Sequence, residues 1–125
     1  MNAVVLAYLG DAVWELRVRE YLTSLGFSST DKLHKMAVNY TSAKAQVKII
    51  KFLLENGLLN NDEKEIYIKG KNQKLKTPKT LDKTIYHIAS GFETLIGYLY
   101  FHDKIRLDNL MIECINCIKG ETDAG

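Results

Sequence analysis

The chain has 125 residues, 46% of them hydrophobic and 26% charged, with eight glycines and one proline, so neither a disordered nor a fibrous composition fits. Its length suits one domain over residues 1–125 with a core of its own. Seventeen Lys and Arg against fifteen Asp and Glu leave a net charge of +2, too small for overall charge to argue a nucleic-acid partner.

Helical spacing runs through nearly the whole sequence. Leu6, Leu9, Val13, Leu16, Tyr21 and Leu22 recur at short helical steps and predict an amphipathic helix over about 3–24 that Gly26 ends. Apolar Val4-Val5-Leu6 almost at the terminus leaves room for further native residues ahead of Met1. Ser29 or Thr30 can cap a second helix through Leu33, Met36 and Ala37. Thr41 or Ser42 can cap a third, which carries Val47, Ile50, Leu53 and Leu54 until Gly57 stops it. A fourth starts near Asn61, passes Ile66 and Tyr67, and is expected to fray at Gly70. The polar 70–80 stretch with Pro78 reads as a loop. Ile85, Ile88, Phe92, Leu95, Ile96 and Leu99 then form a long stripe over about 81–101, and Leu107, Leu110, Met111, Cys114 and Ile118 form another on a last helix. With no strand alternation, hairpin dipeptide or internal repeat, the expected fold is an all-α bundle.

Several chemistries fall away on their motifs. Cys114 and Cys117 make one CxxC inside an amphipathic helix with no second pair, which reads as two reduced thiols at the core edge. His34, His87 and His102 lack metal-ligand spacing, and no glycine-rich phosphate loop occurs. No apolar run approaches the roughly 20 residues that span a bilayer, and Met1-Asn2-Ala3 lacks the start of a signal peptide, so no membrane partner and a cytoplasmic address are expected.

Two acids stand out instead. Asp11, in Tyr8-Leu9-Gly10-Asp11-Ala12-Val13, and Glu93, in Phe92-Glu93-Thr94-Leu95-Ile96-Gly97, sit on the two most apolar stretches. An ionised carboxylate in a core-forming segment is costly unless paired, hydrogen-bonded or metal-bound, so these acids either make structural contacts or face a shared cation. Seven lysines lie between Lys64 and Lys83, against Glu65 and Asp82. That run reads as a solvated basic loop or as a surface that tracks phosphates.

The same residues carry a resemblance. Leu9-Gly10-Asp11-Ala12-Val13 resembles the signature of the ribonuclease III catalytic domain, and Phe92 to Tyr100 resembles that family's second catalytic helix. Leu6 to Glu15, Ser42-Ala43-Lys44-Ala45-Gln46, Lys69-Gly70-Lys71-Asn72 and the Phe92-Glu93 block, in this order, are similar to the Mini-ribonuclease III type, over nearly the whole chain. The resemblance implies a homodimeric endoribonuclease that cleaves double-stranded RNA with Mg²⁺, Mn²⁺ being a possible substitute, and that lacks a separate double-stranded-RNA-binding domain. It also implies a role in maturing the large-subunit ribosomal RNA precursor. Asp11 and Glu93 would be the catalytic acids and the metal ligands. Lys44, Gln46, Lys69, Lys71, Asn72, Lys74 and Lys76 are the candidate RNA contacts, Lys44 and Gln46 lying nearer the acids. Glu15, one turn from Asp11, could reach the metal through water or pair with Arg19. Trp14 is open between core and dimer interface. Ala7 and Ser90 stand where the larger family commonly has acids. A catalytically silent RNA-binding dimer and a helical adaptor whose lysine loop binds an acidic protein are the alternatives.

Overall fold

A computed structural model describes residues 1–74 and 76–124, with side chains as far as Gly120; Leu75, inside the lysine-rich stretch, lies outside the described residues. Among the described residues there are six helices and no strand: α1 (Ala3–Ser24), α2 (Thr30–Thr41), α3 (Ala43–Glu55), α4 (Asn61–Lys71), α5 (Lys83–His102) and α6 (Lys104–Ala124). The all-α expectation holds.

Short polar side chains set the helix starts, as an N-cap requires. Asn2 accepts the Val5 N–H at 2.9 Å, Ser29 the Lys32 N–H at 3.4 Å, Ser42 the Ala45 N–H at 3.1 Å and Asp82 the Ile85 N–H at 3.1 Å. Asn60 and Glu63 form a reciprocal capping box on α4, with N···O distances of 2.8 and 2.9 Å. After α1 and α3 the chain turns at Gly26 (φ 87°) and Gly57 (φ 63°), left-handed conformations that residues with a side chain rarely adopt.

α5 is the central helix, in contact with α1, α3, α4 and α6. Its Phe92 meets the edge of Trp14 at a centroid distance of 5.3 Å and an interplanar angle of 87°. Trp14 is wholly buried, and its indole N–H donates to the Tyr40 carbonyl at 3.0 Å, so Trp14 belongs to the core and is not available to a partner surface. Val18, Leu22, Ile49, Ile50, Leu53, Leu95, Ile96, Leu107 and Leu110 complete the centre, each side chain contributing about 1.5–3 kcal/mol by leaving water. Cys114 packs among them, where burial pushes its thiol pKa far up, and Cys117 lies half-buried nearby.

One ion pair locks α4 to α6. Arg106 donates from Nε and Nη2 to Glu63 at 2.7 and 2.9 Å, and from Nη2 to the Leu58 carbonyl at 2.6 Å. Burial alone would raise the Glu63 carboxyl, but hydrogen bonds from Arg106 and the Asn60 N–H hold it below its ordinary value.

Gly70 departs from expectation. It does not fray the helix but sits buried in the last turn of α4, where a Cβ would run into the Thr94 side chain and lie 3.0 Å from Gly91 Cα. Gly91 is matched to it across the crossing, since a Cβ there would lie 2.7 Å from the Tyr67 ring and 2.8 Å from the Tyr67 carbonyl. The glycine that looks like a helix breaker is a contact point between two helices.

Candidate active site

α1 and α5 touch backbone to backbone. A Cβ on Gly10 would strike the Glu93 carbonyl, and a Cβ on Gly97 would strike the Leu6 carbonyl and come within 3.1 Å of the Gly10 nitrogen. The residues after Gly10 and one turn before Gly97 are Asp11 and Glu93. Bare glycine surfaces therefore bring the two acids together from distant parts of the sequence, and their carboxyls lie within hydrogen-bonding reach.

The two acids are not equivalent. Asp11 faces solvent, whereas Glu93 is half-buried beneath α1 and beside α3. Burial first, and the Asp11 carboxyl second, push the Glu93 pKa up to about 8, against the opposing pull of the Gln46 amide. Burial and a neighbouring carboxyl penalise the charge on Glu93, and a divalent cation would offset that penalty. The donor set, all carboxylate oxygen, suits a hard ion such as Mg²⁺ or Mn²⁺. Among the described residues no group of three or more His, Cys, Asp or Glu side chains could hold a metal.

The other expected residues divide by position. Gln46 is 3% exposed and turns inward to Glu93 Oε2 at 3.5 Å, so it is not placed to touch an RNA backbone. Lys44 lies about 200° round α3 from Gln46, in a groove with Lys48 and Ile118 on the side away from Glu93. Lys69 lines a cleft with Met1, Ala3, Tyr98 and His102. Lys71, Asn72 and Lys74 line a separate concavity with Lys83, Thr84 and His87, whose Nδ1 lies 3.1 Å from the Lys71 carbonyl and ties α5 to the end of α4. Lys76 is exposed in the following loop. Sequence reasoning counted Lys83 only as the end of the lysine run and set His87 aside, because only the fold brings the start of α5 against the end of α4. Glu15 pairs with Arg19 at 3.5 Å, and Ser90 is buried with its carbonyl accepting the Thr94 hydroxyl.

One face of α1 has no cover. Val4, Tyr8, Ala12 and Leu16 follow one another at steps of four, and Tyr8 and Leu16 are 83% and 59% exposed. Asp11 flanks that stripe. Among the described residues no helix is long and apolar enough to cross a membrane.

Comparison with known proteins shows the family. The profile of the Ribonuclease III domain family matches residues 4–104. A Mini-ribonuclease 3 of Enterococcus faecalis (strain ATCC 700802 / V583) is 42% identical over 98% of this chain and 94% of the relative. One of Streptococcus pneumoniae (strain ATCC BAA-255 / R6) is 38% identical over 96% and 95%. The crystal structure of a Fusobacterium nucleatum protein superposes with a TM-score of 0.81 at 30% identity, covering 97% of this chain and 94% of that one. With both acid-bearing helices inside the matched segment and full-length relatives of one type, the chain belongs to the ribonuclease III domain family, among the Mini-ribonuclease 3 proteins.

Proposed function

We propose that this protein is a metal-dependent endoribonuclease that cleaves double-stranded RNA as a homodimer in the cytoplasm, acting in the maturation of the large-subunit ribosomal RNA precursor. The observation that carries the reading is the meeting of Asp11 and Glu93 at the glycine crossing of α1 and α5. The ribosomal target rests on the resemblance to Mini-ribonuclease 3 proteins.

Asp11 and Glu93 would hold Mg²⁺, or Mn²⁺ in its place. A bound divalent ion of this kind lowers the pKa of a coordinated water and neutralises charge on the leaving oxygen. Asp11 approaches from the open side, which leaves its oxygens accessible to a phosphodiester. Glu93 closes the inner side, with apolar α5 excluding bulk water beneath it. A-form RNA is recognised through phosphates and 2′-hydroxyls rather than base edges, and exposed lysines suit that task. Lys71, Asn72 and Lys74, joined by Lys83 and His87, form the concave basic wall, with Lys69, Lys76 and Lys44 as outlying contacts. The bare stripe of Val4, Tyr8, Ala12 and Leu16 is the face offered to a second copy. Pairing there about a two-fold axis brings two Asp11 side chains into one groove, one site for each strand.

The test is incubation with a long labelled RNA duplex in Mg²⁺ or EDTA, followed by product sizing. Metal-dependent shortening of duplex but not of single-stranded RNA is expected. Asp11→Asn and Glu93→Gln should each abolish cleavage while sparing RNA binding, because a neutral amide removes the ion's charge partner without disturbing helix packing. Cleavage retained in both variants sinks the assignment, and an intact duplex under every condition leaves a silent RNA-binding dimer.

A further inference from the structure

α2 and α3 meet at Ser42, whose extended backbone (φ −62°, ψ 155°) stops one helix while its hydroxyl caps the next. Such a corner leaves the final carbonyls of α2 without intrahelical donors. The Thr41 carbonyl is met instead by the side chain of Gln46, one turn into α3, with Nε2 donating at 3.3 Å. A primary amide has two hydrogens. The second points to Glu93 Oε2, 3.5 Å away. Because both acceptors lie on the Nε2 side, the orientation of the amide is determined: turned over, its carbonyl would face two other oxygens.

The other half of the amide has no such explanation. Gln46 is 3% exposed, and its Oε1 has no hydrogen-bond partner. Buried acceptors are seldom left alone, and a leucine would fill this space without one. An amide kept here despite an orphaned carbonyl serves something other than packing. The connected path runs from a backbone carbonyl, through Gln46, to the more buried of the two acids. Outer partners of this kind fix the rotamer of a metal-binding carboxylate.

We propose that Gln46 is the positioning residue for Glu93. It ties Oε2 to the α2–α3 corner, so that the carboxylate keeps one orientation beside Asp11 and offers its remaining lone pairs to the divalent ion. This inference rests on the reading of Asp11 and Glu93 as the metal-binding pair. Where two acids hold an ion that larger clusters hold elsewhere, a wandering ligand is felt more strongly, and an inner-side anchor matters more.

The experiment is calorimetric titration of the full-length protein with Mn²⁺ in the absence of RNA, for the parent and for Gln46→Leu and Gln46→Met, with thermal melting in EDTA and duplex-cleavage kinetics alongside. The expected result is a roughly 10–100-fold loss of Mn²⁺ affinity in variants that melt close to the parent. Their kcat should fall with little change in KM, since Gln46 faces Glu93 and not the RNA. Two folded variants, or the single one that folds, binding Mn²⁺ as the parent does would overturn the role of Gln46 alone. A parent that binds no Mn²⁺ would overturn the reading of the acids themselves, and the inference with it.

Discussion

Glu93 is an acid whose surroundings favour the wrong charge state for an unassisted carboxylate. Burial and the neighbouring Asp11 lift it from an ordinary value near 4.5 to about 8. The folded protein without metal therefore binds this proton more tightly than the unfolded chain does. The stability it contributes is complete below the unfolded pKa and is lost as pH rises through about 8. In EDTA, the melting temperature should decline between mildly acidic and mildly alkaline pH, with much of the slope absent in Glu93→Gln. Saturating Mg²⁺ should flatten the same slope in the parent, because the ion replaces the proton between the acids. A slope unaltered by both the substitution and the ion would show that the acids do not meet. Sequence alone marked this pair, since two acids in apolar helices are conspicuous by composition. It placed Gln46 near the acids but not its burial: exposure of only 3% is a property of how the α2–α3 corner packs on α5, and no local pattern carries it.

At the scale of the element, the starts of α2 and α3 were legible because a capping side chain is local chemistry, as Ser29 and Ser42 show. Glycines were not. Gly26 and Gly57 terminate helices as their positive φ requires, whereas Gly10, Gly70, Gly91 and Gly97 are there for what lies across from them. The two uses look alike in sequence and differ only in tertiary surroundings. Gly97→Ala separates them by experiment. Its methyl would strike the Leu6 carbonyl, a backbone atom that no rotamer change can move aside. Helix α5 must therefore back away from α1, at about 3 kcal/mol, the upper end for overpacking. The substitution should lower the denaturant midpoint and also weaken Mn²⁺ binding, since the acids part with the helices. A variant unchanged in both would remove the crossing from the account. Gly26→Ala, far from this crossing, should lose stability without losing metal affinity.

For the whole molecule, the bare face of α1 matters most. Buried Leu6, Val13, Trp14, Val18 and Leu22 commit one side of this helix to the core, and Tyr8 and Leu16 leave a second apolar stripe in water. An amphipathic pattern was expected, and the helix is instead apolar on two faces, which a period-based reading cannot divide between core and partner. Tyr8→Glu places a charge in the middle of that stripe and should convert a dimer to a monomer in sedimentation while the melting curve of the protomer persists. Duplex cleavage should fall together with the dimer. A dimeric Tyr8→Glu protein would move the contact to another face.

The crossing of α1 and α5 has a further meaning for how the protein can change over time. The approach of the two helices is measured out by main-chain atoms, with Gly10 and Gly97 leaving no room for a Cβ at the contact. Interior residues away from that contact, such as Leu53 and Leu110, can be exchanged for others of similar bulk at small cost. The spacing of the two helices at the acids is thereby insulated from drift in the core. The hydrophobic residues of the core can therefore change while the two carboxylates keep their meeting place.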